Sequence, residues 1–386
     1  FLGMEAGSQW LTGFSAYFIA DIGLAMMGMF ALLRVGSSEK VLERAGRVPA
    51  EILMCAIILC IGPMVAITRT SASTYEMAIA PNISGVSPVM FSVIFFALIL
   101  ALCIKESAVV DIVGKILTPL LLVGLFAIII KGVVTPLGDI AALPQINNVA
   151  VTGIKAGYQT MDALAALNFG AVIALNIQAV GITEEAAVRR GTIRAGLIAG
   201  GMLLVVYAML THIGGISGAA FPGSDTGASV LTALADGLFG RVGQVLLAVI
   251  FVIACFNTCV GLIASVGEYF HELLPRLSYP AIAAFFALMS MLLANIGLAD
   301  ILSLSVPVLN AIYPIAIILI VVEFLPERFQ RPLVWRLGVL FTALQSIPAA
   351  LPFGPLSGFM NALPLSDLGF GWLLPALIGI GAGLVL

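Results

Sequence analysis

Gly157-Tyr158-Gln159-Thr160-Met161-Asp162-Ala163-Leu164-Ala165-Ala166-Leu167-Asn168-Phe169-Gly170 sets a single carboxylate in a run that is otherwise small and apolar enough to enter a bilayer. An ionisable group inside a membrane segment is costly, and by default it marks a substrate or ion path. The rest of the chain supports that setting. Of its 386 residues 61% are hydrophobic and 10% charged, against roughly 25% charged usage in soluble domains, and the mean hydropathy is +1.16. The sequence therefore reads as an all-α polytopic membrane bundle that uses the whole chain, residues 1–386, as one transmembrane domain. A net charge of -3 excludes nucleic-acid binding, which calls for a basic surface. Cys55, Cys60, Cys103, Cys255 and Cys259 lie in apolar stretches without ligand spacing, so they are expected to be small buried residues rather than a metal or redox site.

Apolar runs between Gly, Pro and charge breaks predict eleven spans, at about 9–33, 50–79, 88–104, 108–132, 157–180, 193–214, 241–270, 280–297, 300–324, 333–350 and 370–386. Alternate connections hold Arg34, Lys40, Arg44 and Arg47; Lys105 and Lys115; Arg189, Arg190 and Arg194; Arg276; and Arg328, Arg331 and Arg336. Facing them are only Lys131, Lys155 and Arg241. Basic residues collect on the cytoplasmic side, so residue 1 is expected outside and residue 386 in the cytoplasm of a cell membrane. The long external connections include 215–240, where Thr226 to Phe239 has helical character. The chain opens on Phe1 without a basic, cleavable leader, and a preceding N-terminal piece is expected.

Asp21, Arg69, Glu76, Asp162 and Glu268 fall inside spans or at their mouths. Arg69 and Glu76 are seven apart and share a helix face, with a packing network and a wet cavity as equal readings. Asp21 is either a gate or a buried hydrogen-bonded acid. Three breaks are expected: at Gly62-Pro63, along 157–170, and at 303–314, where Pro307 and Pro314 each remove a helical hydrogen bond. Irregular backbone at membrane depth is tolerated only where protein or a water-filled cavity covers it, so the unwound stretch around Asp162 offers amides and carbonyls to a ligand. Ala254, Asn257 and Thr258 can converge a carbonyl, an amide oxygen and a hydroxyl, the neutral oxygens that hold hard cations; glue between helices is the other reading.

At these motifs the sequence resembles the bacterial branched-chain amino acid carrier family, the leucine/isoleucine/valine:cation symporters. The resemblance rests on Gly62-Pro63, Arg69-Thr70, Glu76, Ala80-Pro81, Thr160-Met161-Asp162 with Leu164 and Phe169-Gly170, Asn295-Ile296-Gly297-Leu298, Val306-Pro307-Val308-Leu309 and Tyr313-Pro314. It implies a LeuT-type inverted-repeat fold that holds substrate near the midplane at discontinuous helices. It also implies import of leucine, isoleucine and valine with Na+ or H+ as the coupling ion, no cofactor, and a first family helix lying before Phe1. Carried over by position, Asp162, Ala163, Leu164, Ala165, Ala166 and Phe169 surround substrate with Ala66 and Thr70 opposite. By the same carry-over Ala254, Asn257 and Thr258 bind sodium, while Arg69 and Glu76 have structural or gating roles. Asp21 and Asn168 stand where small or apolar residues are expected, and Thr68 where the family has a proline.

The alternative is an integral-membrane enzyme acting on a lipid-linked substrate, which needs a convergent acid/base or metal set. His212 and His271 belong to spans that are not adjacent and to opposite sides, which disfavours a histidine-based site. A channel is the third reading, without an apparent filter segment.

Overall fold

The computed structural model describes residues 1–104, 118–167, 177, 181–182, 184–217, 221, 227–351 and 355–386. Among these the chain is helical. In chain order the helices are α1 (Leu2–Val35), α2 (Arg47–Ile79), α3 (Pro88–Ile104), α4 (Thr118–Val134), α5 (Val149–Thr160) and α6 (Glu185–Ser217). They continue as α7 (Gly227–Phe239), α8 (Arg241–Leu273), α9 (Tyr279–Ala294), α10 (Leu298–Glu323), α11 (Pro332–Ala350) and α12 (Leu373–Val385). Six of the described helices are long and apolar enough to cross a bilayer, and shorter apolar helices accompany them. α7 occupies the stretch expected to be helical between spans, and ten of the other helices fall on expected spans; α5 reaches the span expected at 157–180 only in its last turn, and 168–176 and 178–180 of that span lie outside the described residues. The span expected at 108–132 is described only from Thr118 onward.

Local chemistry fixes the ends. The Asn148 side chain accepts from the Val151 amide at 3.2 Å and starts α5 eight residues before the expected 157. Gly36 takes a left-handed φ of 99° to stop α1. Pro280 sits in the first turn of α9, where its missing N–H costs nothing.

The described chain separates into two compact units threaded through each other in sequence. The first comprises Phe1–Leu11, Leu59–Asn147 and Ala208–Ser305; the second comprises Thr12–Ile58, Asn148–Tyr207 and Val306–Leu386. In the first unit α8 is the central post, packed by α9, α7, α4, α3 and the later half of α2. It buries Leu247, Cys259, Ile263 and Val266. Lipid tails are as apolar as these side chains, so close van der Waals fit rather than water exclusion holds such helices together. In the second unit α11 and α12 form the most extensive pair. Gly379 and Gly383, four apart on α12, lie so close to the backbone at Leu337 and Val334 of α11 that neither site has room for a Cβ, which is the small-residue contact expected between membrane helices.

Two of the three expected breaks are present. At Cys60–Met64 the helix opens into a π-turn with Gly62 at φ -101°, ψ -127°, and α5 stops at Met161. The third is corrected: α10 runs unbroken from Leu298 to Glu323 through Pro307 and Pro314. Each proline forfeits one backbone bond, which a spanning helix tolerates where protein covers it: Leu309, Ala311, Tyr313, Ile315 and Ala316 around the two prolines are buried. Four of the five cysteines are buried and all are free thiols.

Candidate functional site

In the second unit α5 ends because Met161 adopts φ 68°, ψ 11°, the left-handed region. A side chain there costs of order 1–2 kcal/mol, and such outliers gather at functional sites. Helix resumes over 162–167, with the Ala165 amide donating to Met161 O at 2.9 Å. The restart sends alternate residues to different surroundings. Ala163 and Leu164 are fully buried, whereas Asp162, Ala165 and Ala166 line a cavity of about 220 Å³. Its other walls are apolar and come from α1 and α6, Met26, Met29, Gly200 and Leu203 among them. Sequence reasoning missed those wall residues; the small residues Gly196, Ala199 and Gly200, three to four apart on one face of α6, were the available signal. Phe169 lies outside the described residues.

Behind the cavity stands Asp21, in a π-turn of α1 spanning Ile19–Gly23. π-turns are rare and frequent at functional sites. This one meets α5 closely: a Cβ on Gly157 would fall 2.9 Å from Ala20 Cβ and 3.1 Å from the Asp21 amide. Thr160 Oγ1 lies 2.6 Å from Asp21 Oδ1. Tyr17 and Asp162 are its other polar neighbours. Tyr17 meets Tyr207 edge-on at 5.8 Å, and Tyr158 stacks on Tyr313 at 4.9 Å. One carboxyl was legible as a site in the sequence; two were brought together.

Further along the same unit Glu323, 2% exposed, lies between Arg34 Nε at 3.8 Å and Arg44 Nε at 3.9 Å. This acid was not singled out in the sequence, since the end of a span is where a solvated acid is ordinary.

The remaining predicted residues belong to the first unit. On α8, Thr258 Oγ1 donates to Ala254 O at 3.0 Å, so those two oxygens are neighbours as expected. Asn257 and Thr258 are exposed, and the set is made of neutral hard oxygens that suit a monovalent cation as cargo. On α2, Ala66, Arg69 and Thr70 are half-buried and Glu76 is exposed. Thr74 Oγ1 donates to Thr70 O at 2.7 Å. Glu76 lies in a further π-turn, Tyr75–Ile79, which shifts the face it presents from the one that a seven-residue spacing implies.

A helical membrane protein with a discontinuous span, a carboxylate at the break and an apolar cavity beside it is built as a secondary transporter. Its fold is similar to that of a Na+-coupled sialic acid symporter, with a TM-score of 0.59 and 14% identity, covering 100% of this chain and 88% of that one. The family model described as branched-chain amino acid transport protein matches residues 1–386, and the chain belongs to that family. It is 37% identical over 399 residues to the branched-chain amino acid permease BraB of Bacillus subtilis, covering 100% of this chain and 90% of the relative. It is 36% identical over 390 residues to the branched-chain amino acid transport system 2 carrier protein of Pseudomonas aeruginosa, covering 98% and 89%. The chain is thus a multi-pass membrane transporter and not an enzyme.

Proposed function

We propose that this protein is a cation-coupled symporter that carries leucine, isoleucine and valine into a bacterial cell. The observation that carries the reading is the cavity in which Asp162 is the one carboxylate among apolar walls. Asp162 receives the substrate ammonium, and Met26, Met29, Ala165, Ala166 and Gly200 take the branched side chain. Its volume of about 220 Å³ is below the roughly 300–1,000 Å³ of drug-sized sites, which suits one small amino acid. A methylene is worth only about 1–3 kcal/mol, so the three substrates compete within roughly two orders of magnitude. Ala254, Asn257 and Thr258 are the proposed sodium ligands, and Arg69 and Glu76 support their helix.

Radiolabelled leucine uptake into proteoliposomes, with imposed sodium or proton gradients, tests this. Accumulation that valine and isoleucine inhibit and lysine does not is the expected result; no accumulation under either gradient overturns it. The basic connections place residue 1 outside and Leu386 in the cytoplasm. In intact cells a cysteine at exposed Asp139 is then labelled by an impermeant reagent and one at exposed Glu39 is protected, and the reverse pattern inverts the topology.

A further inference from the structure

Asp21 has no task in the reading above, yet it is completely buried, and its Oδ2 makes no hydrogen bond of normal geometry. Its other oxygen poses a question of proton count. Thr160 Oγ1 is 2.6 Å from Asp21 Oδ1, 2.7 Å from the Gly157 carbonyl oxygen and 3.5 Å from the Asp162 amide nitrogen. A hydroxyl donates one proton and accepts at two lone pairs. If Asp21 is ionised, Asp21 Oδ1 and Gly157 O both claim that proton, and one close contact is left as bare oxygen against bare oxygen. If Asp21 is protonated every contact closes. The acid O–H donates to Thr160, the threonine O–H donates to Gly157 O, and the Asp162 N–H reaches the second lone pair.

Among the described residues the groups that act on Asp21 include no cation; its polar contacts are the hydrogen-bonding side chains of Thr160, Tyr17 and Asp162. Tyr17 comes from its own helix, Asp162 from the helix beyond the break, Tyr207 from α6 and Tyr313 from α10. These are phenols and a second acid, and two carboxyls within reach of one another do not both ionise readily.

We infer that Asp21 is a proton-binding site of this carrier, and that the proton it holds against Thr160 crosses the membrane with the substrate at Asp162. The inference rests on the substrate reading above and adds a proton as a coupling cation beside the sodium proposed at Ala254, Asn257 and Thr258. The proton enters from the outer medium onto the Asp21 carboxylate and leaves to the inner medium, with no covalent bond to heavy atoms made or broken. On its departure the Thr160 hydroxyl turns from Gly157 O to the carboxylate. The last turn of α5 then loses a hydrogen bond one residue before the strained Met161, which links the charge at Asp21 to the break beside the substrate.

The test is leucine uptake into proteoliposomes under an inward proton gradient with sodium equal on both sides, with a pH-sensitive dye inside. Wild type is expected to accumulate leucine and to acidify the lumen only when leucine is present. Asp21→Asn abolishes the leucine-dependent acidification and Asp21→Glu restores it. Thr160→Val, which keeps the acid but removes the acceptor of its proton, moves the midpoint of the pH profile of proton-driven uptake downward by about one unit. If the Asn variant does not reach the membrane, the Thr160→Val profile decides, and an unmoved midpoint overturns the inference. Wild-type leucine uptake that a sodium gradient drives without lumen acidification also overturns it and assigns the acid pair to a metal cation. Absence of leucine/leucine counterflow, which needs no gradient, fails the substrate reading itself, and the coupling inference falls with it.

Discussion

Two helices of this protein are interrupted, and their breaks are built in opposite ways. In α2 the opening at Gly62 is packed and dry. Cys60, Ile61, Gly62 and Pro63 are all buried, Val266 presses on the glycine so that a Cβ would fall 2.6 Å from its Cγ2, and Thr68 Oγ1 donates back to Val65 O at 2.8 Å. Every feature there closes the gap. At Met161 the gap is ringed by Asp21, Thr160, Asp162 and Tyr17 and opens on a cavity. A break whose neighbours are apolar and satisfied bends a helix; a break that gathers two acids beside a cavity, one of them with the unbonded oxygen Asp21 Oδ2, is placed to receive something. Position in the sequence does not separate the two, because both carry small residues in apolar runs. The partners do.

The largest effect is expected at the break that opens on the cavity, where substrate is proposed to bind. In the proposed site Asp162→Asn removes the charge assigned to the substrate ammonium, and a charge-assisted hydrogen bond contributes about 1.5–3 kcal/mol. Leucine uptake at equal membrane abundance should fall roughly 10- to 100-fold. Uptake within a factor of two of wild type would make this break as structural as the one at Gly62. The dry break predicts the converse. Gly62→Ala should destabilise the folded protein in detergent by about 1–3 kcal/mol through overpacking against Val266, while uptake per folded molecule holds. Adding Val266→Ala should recover most of the loss in a thermal unfolding measurement. A change in substrate affinity without a change in stability would erase the distinction.

Much of this architecture is legible in the sequence because the bilayer leaves few options. A spanning segment must be helical and apolar, so apolar runs suffice to anticipate most of the described helices. What is not legible are contacts between distant segments. Asp21 is visible as an oddity, but its partner Thr160 lies 139 positions away. The left-handed residue is Met161 rather than a glycine, and no residue type announces that. Pro307 and Pro314 signal a break that α10 does not make, since the turns around them are buried among neighbours. Glu323 reads as an ordinary boundary acid until Arg34 and Arg44 are seen closing on it. The spacing of Arg69 and Glu76 implies a shared face only for regular helix, which the π-turn at Tyr75–Ile79 interrupts.

The smallest expected effect sharpens the comparison from a third place, where a helix is not interrupted at all. α8 is continuous through Ala254, Asn257 and Thr258, so any ion there meets side-chain oxygens and carbonyls that already serve the helix. Thr258 Oγ1 donates its proton to Ala254 O, which leaves the lone pairs of the hydroxyl as acceptors toward the exposed face. Removing them by Thr258→Ala takes away one neutral ligand among several and disturbs little packing. The sodium concentration for half-maximal leucine uptake should therefore rise about 2- to 10-fold, equivalent to roughly 0.5–1.5 kcal/mol. Thr258→Ser keeps the oxygen and loses a methyl, so its shift should be smaller. If the Ala variant retains the sodium dependence of wild type, the intact helix contributes no ion ligand here. Coupling would then belong to the broken helix and its acid pair alone.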